Sequence, residues 1–476
     1  MLQPSLFNLR VPPPERSEVF LMNTITDAQL IVSTDVAALL DRFGASEPAG
    51  HEAALGDDEQ EAIGLLRDNG FLVPDRQQER RDVERYFARV TSDTEELHIT
   101  ILTTLQCNFA CDYCYQGDRD DFNKFAEKMS HETAVGVGDW IERELDLVRP
   151  EHLTLMFFGG EPLLNRPVMD YLAERMWRAT QDRGVDMRIS IITNGLLLTR
   201  DVVDELLPYG LSGIKVTLDG DRDTHNRMRP LRGGQGTFDR IVENMRAVAD
   251  RVAISVGGNF DETSVDSYPA LLQFLHDEFG DKLVKVNFKP IIRHEPTPAK
   301  GMFSLTPVGK DNKPLGGTCM TSVGSGKLGG KLGGTGCDTC GLSEEKTAYL
   351  RAETKRHGFH TPDGVHMGPC HVHMEHAHTI GPTGSLYACP GFTGDLGLSV
   401  GHVDDRQDPV RQDMRERFDR LNPWKDCGDC AFIPVCAGGC LVASHTQLGD
   451  MNLPTCHKRS FESAVIALAQ EVASAA

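Results

Sequence analysis

LHITILTTLQCNFACDYCYQGD, residues 97–118, decides the reading of this chain. Six of its first seven residues are β-branched or apolar, as a short buried strand requires, and the turn that follows holds Cys107, Cys111 and Cys114. Working outward, five more apolar runs fit strands: LTLMFF (153–158), RISIIT (188–193), GIKVTL (213–218), VAISVG (252–257) and LVKVNF (283–288). Helical stretches separate them, near 125–147, from Pro167 to Arg183, Thr199 to Leu207, Thr237 to Arg251 and Val265 to Phe279. Strands alternating with helices predict a parallel sheet with right-handed crossovers. Six units predict an α/β fold of the partial (β/α)6 TIM type rather than a closed eight-stranded barrel, with the cysteine turn at the C-terminal end of its first strand, where barrel sites lie.

On either side of the barrel the composition changes. Residues 1–90 contain no cysteine. They read as a hairpin across Glu18 to Val32, a helix capped by Asp35, a second helix from Asp57 to Asn69 ended by Gly70, and a short strand FLV. That order resembles a winged-helix module, serving either peptide recognition or as a cap on the next domain. Residues 301–365 read as a glycine-rich linker and a bridging helix, EEKTAYLRAETKRHG, and residues 366–465 as a separate cysteine-rich domain behind a barrel domain of 95–300.

The formal net charge is −21, which argues against nucleic acid as a partner because phosphate contacts are made mostly by basic residues. No apolar run reaches the length of a spanning helix and no signal peptide is evident, so the expected location is the cytoplasm, with no membrane partner. In that reducing compartment thirteen cysteines point to metal or catalysis rather than to disulfides, and ten of them fall within 107–114 and 370–456.

Three thiolates spaced C-x3-C-x2-C hold three irons of a [4Fe–4S] cluster and leave the fourth iron open to a ligand. A structural zinc site would want a fourth ligand nearby, and none is present. Together with Tyr113, CxxxCxYC after a first strand resembles the signature of the radical S-adenosylmethionine (SAM) superfamily. The resemblance implies that SAM binds the open iron and is cleaved reductively to a 5′-deoxyadenosyl radical. It further implies that FFGGEPLLN (157–165) supplies the SAM amino-group motif Gly159, Gly160, Glu161 and Pro162. ITNG (192–195), with Thr193 and Asn194, would reach the ribose. VTLDGDRDTHNRMRP (216–230) resembles a further family stretch, in which Arg229 is the candidate for the SAM carboxylate because a guanidinium pairs with it in bidentate fashion. Asp219 and Asn259 are site candidates by strand position.

Downstream, Cys370-x13-Gly384-x4-Cys389 is followed by Cys427-x2-Cys430-x5-Cys436-x3-Cys440 and, fifteen residues on, Cys456. The series resembles the SPASM extension, which implies two auxiliary [4Fe–4S] clusters, three clusters in all. Cys427, Cys430, Cys436 and Cys456 would hold one. Cys370, Cys389 and Cys440 would hold the other, with Cys337 or Cys340, and less so Cys319, as its fourth ligand. Of the seven histidines between His357 and His378, those near Gly384 read as a hairpin with His371 and His373 on one face and His376 and His378 on the other.

Within this group the resemblance implies maturation of a ribosomally made precursor peptide, with electrons from a flavodoxin or ferredoxin. The alternative is formylglycine formation in a sulfatase, where an Asp is expected directly after the second SPASM cysteine; Pro390 stands there instead. A rival from another class is a non-catalytic iron–sulfur electron carrier or peptide-binding protein, which the open-iron spacing disfavours.

Overall fold

The computed structural model describes residues 2–12, 18–44, 56–114, 126–291, 338–361, 365, 369–404 and 409–475. Most of the glycine-rich stretch, with Cys319 and Cys337, lies outside them. Along the chain run β1 (Gln3–Pro4), β2 (Asn8–Val11), β3 (Glu18–Asn23), β4 (Gln29–Ser33), α1 (Thr34–Gly44), α2 (Asp57–Asp68), β5 (Leu72–Val73) and α3 (Arg76–Thr91). The barrel follows: β6 (Glu96–Leu102), α4 (His131–Val148), β7 (His152–Phe158), α5 (Arg166–Gln181), β8 (Asp186–Thr193), α6 (Arg200–Leu206), β9 (Leu211–Thr217), α7 (Arg222–Met228), α8 (Phe238–Val248), β10 (Ala253–Phe260), α9 (Tyr268–Phe279) and β11 (Leu283–Pro290). The rest comprises α10 (Asp338–Arg356), β12 (Ala377–Ile380), β13 (Ser385–Tyr387), β14 (Gly401–His402), α11 (Pro409–Asp419), α12 (Ile433–Cys436), α13 (Leu441–Ala443) and α14 (Lys458–Ala475).

The six strands β6 to β11 pair in chain order, every pair parallel, forming the partial barrel expected. Their burial alternates. In β7, Leu153, Leu155 and Phe157 are fully buried, whereas His152, Thr154, Met156 and Phe158 are half-buried. Parallel strands sandwiched between helices are apolar on both faces; alternation means that only one face carries helices and the other lines an accessible interior.

Beyond β6 the sheet continues through β12, which pairs parallel to β6, and then antiparallel through β13 and β14. The hairpin around Gly384 is therefore built onto the barrel sheet. The histidines sit differently from the two-faced hairpin expected. His371–His373 form a 3-10 turn ahead of the strand, so only His378 joins the ladder, where its ring packs edge-on to Trp140 at 5.0 Å. Burial pushes His373 down to about 4 and His378 down to about 3. Both are therefore neutral in the folded protein at neutral pH. The unfolded chain binds protons first as the pH falls, so their contribution is present above about pH 6.5 and is lost towards about pH 3. Denaturant midpoints of the metal-free protein should fall across this window, and His378→Phe should flatten the slope; an unchanged slope would remove His378 as a cause.

The helices not anticipated include α11 and α14 of the C-terminal region and, nearer the site, α3, capped by Asp75 accepting from Gln77 N, and α7, capped by Asp221 accepting from Thr224 N. The first-helix cap also differs. Ser33 Oγ accepts from Val36 N at 3.3 Å, and Asp35 lies in the first turn of α1. In the N-terminal sheet β2-β3-β4 the central strand β3 is buried on both faces. Val19 and Leu21 join α1 and α2, while Phe20 and Met22 pack with Phe432, Val435, Ala464, Val465 and Ala469 of the C-terminal region. Val83 and Phe87 of α3 meet Ile433 and Ala437 in the same way. The first 90 residues thus share their cores with the segment carrying Cys427 to Cys440.

Candidate functional site

The cysteine turn is held by backbone contacts at the end of β6. Gly160 N donates to Thr104 O (2.9 Å) and Glu161 N to Gln106 O (2.8 Å). A Cβ at Gly159 would lie 2.3 Å from Thr104 O, and one at Gly160 2.3 Å from Gln106 O. The close approach these glycines allow is to the cysteine turn itself, with Gly159 at φ 142°.

Glu161 is fully buried. Its Oε1 accepts from Thr193 Oγ1 (2.8 Å) and Leu163 N (3.1 Å), and its Oε2 from Asn194 N (2.8 Å). A carboxylate has about four acceptor positions, so one on Oε2 is left for an incoming donor. Asn194 Nδ2 donates to Asn108 Oδ1 (2.7 Å) and stands 3.8 Å from Cys107 Sγ. The GGEP and ITNG segments therefore converge on Cys107. Pro162 begins the short turn behind them, where its carbonyl accepts from Thr103 Oγ1 at 3.3 Å.

The other wall centres on Tyr113. Its hydroxyl donates to Asp219 Oδ2 and accepts from Arg229 NH1 (2.7 Å) and from Asn259 Nδ2 (3.4 Å). Asp219 Oδ1 accepts from Asn259 N (2.6 Å), and its Oδ2 lies 3.5 Å from Arg229. His225, buried among these residues, accepts from Asp219 N at 3.1 Å and contacts Thr237 Oγ1 with its other nitrogen. Burial raises the Asp219 carboxyl, an effect that Arg229 opposes. Arg229 is not the surface ion pair its sequence context allows. It is 9% exposed, its guanidinium lies 5.5 Å over the Phe109 ring, and its Nε is buried without a hydrogen-bond partner. Such a donor in a native site calls for an explanation, and a bound carboxylate supplies one.

Ten described cysteines stand near one another in three groups. Cys111 lies within electrostatic reach of Cys107 and Cys114; Cys389 of Cys370 and Cys440; and Cys436 of Cys427, Cys430 and Cys456. Burial pushes Cys107, Cys389 and Cys436 up to about 12 and Cys111 and Cys427 up to about 11. Raised thiols of this kind are poor nucleophiles and await a metal to deprotonate them. Among the described residues no three Cys, His, Asp or Glu converge tightly enough for a single ion. Cysteine thiolates are the usual protein ligands of iron–sulfur clusters, and the described thiols stand in groups of three, three and four. Cys340 falls within α10, but its side chain is outside the described ones. Sequence reasoning did not single out Asn108, Phe109 or His225 as site residues, although all three lie inside the quoted stretches 97–118 and 216–230.

The partial parallel barrel carries three cysteines at the mouth of its first strand. Residues 101–259 match the Radical SAM superfamily model, and the chain carries a radical SAM domain. Members of that superfamily are enzymes, and the domain implies SAM and a [4Fe–4S] cluster. The Fe-coproporphyrin III synthase of Methanosarcina barkeri is 29% identical over 177 residues, 37% of this chain and 40% of that protein. The radical SAM cyclopropyl synthase TigE of Paramaledivibacter caminithermalis is 24% identical over 195 residues, 38% and 40% of the two chains. The chain thus spans about 40% of the length of these curated relatives. In fold it is similar to anSMEcpe with bound AdoMet, with a TM-score of 0.56 at 15% identity over 79% of this chain and 99% of that one. Among the described residues no helix is long and apolar enough to cross a membrane.

Proposed function

We propose that this chain is a cytoplasmic radical SAM/SPASM peptide maturase. When bound, SAM and the cluster on Cys107, Cys111 and Cys114 supply a 5′-deoxyadenosyl radical that abstracts hydrogen from a peptide carbon, starting a modification such as a crosslink. The observation that carries the reading is the convergence, at one barrel mouth, of three thiols with a buried guanidinium N–H that lacks a partner and a buried carboxylate with one free acceptor position.

In this reading Arg229 Nε orients the SAM carboxylate, and Glu161 Oε2 receives its amino group. Asn194, beside Cys107, faces the ribose, while Tyr113 and Asp219 keep Arg229 in place. Four thiols, Cys427, Cys430, Cys436 and Cys456, hold one auxiliary cluster; Cys370, Cys389 and Cys440 hold the other, with Cys337 or Cys340 as candidate fourth ligands. A flavodoxin or ferredoxin delivers the electron.

A peptide substrate is supported by the SPASM-like cysteine series and by the N-terminal hairpin-and-helix module. anSMEcpe, similar in fold, has been solved with a bound peptide. Pro390 after Cys389 stands against sulfatase maturation. The test uses the reconstituted full chain with reductant, SAM and the precursor peptide from a neighbouring gene. Peptide-dependent 5′-deoxyadenosine with a mass change in the peptide is expected. Deoxyadenosine formation that responds instead to a porphyrin or a nucleotide would replace the substrate class.

A further inference from the structure

The interior face of the barrel carries charges that the proposed function leaves without a role. Strand register sets Lys215 of β9 beside Ser255 of β10, and Ser255 beside Lys285 of β11; four positions further, Asn259 pairs with Lys289. The intervening residues Ile214, Val216, Ile254, Val256, Val286 and Phe288 are buried on the opposite, helix-covered face. By the two-residue period of a strand, the three lysines therefore share the interior face. None of them has a hydrogen bond or ion pair among the described residues. The one carboxylate that follows β9 on this face, Asp219, is engaged by Tyr113, Asn259 and Arg229.

The position of Lys215 is built. A Cβ on Gly257 would lie 2.4 Å from Lys215 Cε, so the missing side chain on β10 is what seats the lysine stem. Burial and the like charges of Lys289 and Lys285 push its ammonium down to about 8, leaving it cationic at neutral pH. Lysines on an edge strand are a common guard against sheet-to-sheet association. That accounts for Lys285 and Lys289, because β11 ends the sheet, but not for Lys215, two strands further in. Holding it there near two like charges costs stability, and among the described residues no carboxylate pairs with it. The wall also reaches the site, since Lys289 is the register partner of Asn259, whose amide touches Tyr113.

We propose that Lys215, Lys285 and Lys289 form the subsite for an anionic group of the substrate, which they hold inside the barrel below the cysteine turn. The chemistry recognised is anionic oxygen, as in a carboxylate or a phosphate. Joined to the peptide reading, on which this last step rests, it specifies an acidic peptide segment next to the carbon that is attacked.

The experiment titrates the SAM-loaded, reconstituted holoenzyme with three probes: a blocked short peptide carrying two glutamates, its glutamine counterpart, and tripolyphosphate. The glutamate peptide is expected to bind about tenfold tighter than the glutamine one. Lys215→Met and Lys289→Met should each cut that preference to about twofold. Lys289 is exposed at its strand end, so its variant decides the matter even if Lys215→Met fails to fold. Lys282→Met, off this face, should leave all three titrations unchanged. Lysine-dependent binding of tripolyphosphate with no preference between the peptides would keep the anion subsite and remove the peptide reading. Binding of every probe unaffected by the lysine variants would overturn the subsite and leave the peptide reading standing.

Discussion

Replacing Cys111 with alanine should bring 5′-deoxyadenosine formation down to the enzyme-free background and lower bound iron by about four per chain. Cys111 is the thiol coupled to both of its neighbours, Cys107 and Cys114, and it also feels Arg229 and Asp219. Without it two thiolates remain, too few to retain a cluster that needs three protein ligands and an open iron. Its thiol is raised by burial and has no other described function, so the loss should be confined to the cluster. Thermal unfolding of the metal-free variant should match the wild type, which separates loss of the cluster from loss of the fold. Wild-type rates of deoxyadenosine formation by the variant would sink the proposed chemistry.

The second large effect belongs to Glu161→Ala. The family resemblance implies a contact between this carboxylate and SAM, which by itself would raise only the KM for SAM. The structure adds three protein donors, Thr193 Oγ1, Leu163 N and Asn194 N, all converging on a fully buried side chain. Truncation orphans them together and should cost about 3 kcal/mol or more. The variant should therefore unfold at lower denaturant with no SAM present, and should lose the Asn194 contact that closes over Cys107. Glu161→Gln should recover part of the loss, because its oxygen can keep Thr193 Oγ1 and Leu163 N while its amide NH2 faces the single donor Asn194 N. An unchanged unfolding midpoint without SAM would show that Glu161 serves the ligand alone.

How much of this was legible beforehand varied with how local the cause was. The six barrel strands were readable because apolar β-branched runs report on pairing wherever they occur. Helix α3 was not. It is strongly charged, and its few apolar residues, Val83, Tyr86 and Phe87, bury themselves against Trp424 and Ile433, more than 330 positions away in the chain. Helix α7 is seven residues of mostly polar sequence, held by its Asp221 cap, and has no apolar period to read. The histidine tract misled because alternation was assumed to begin before Ala377, where the ladder with β6 starts.

Alone, the sequence determined what spacing along a single turn can determine. Cys107, Cys111 and Cys114 lie within seven positions of one another on one short loop, so their meeting needs no distant partner. Which remote groups stand beside them was decided by tertiary structure. Strand register carries Asp219 and Asn259 to Tyr113, packing on Phe109 buries Arg229, and the gap left by Gly257 turns Lys215 inward. Burial converts each of these from an ordinary surface polar residue into a group that must find a partner, and burial is a property of the packed sheet rather than of any segment in it.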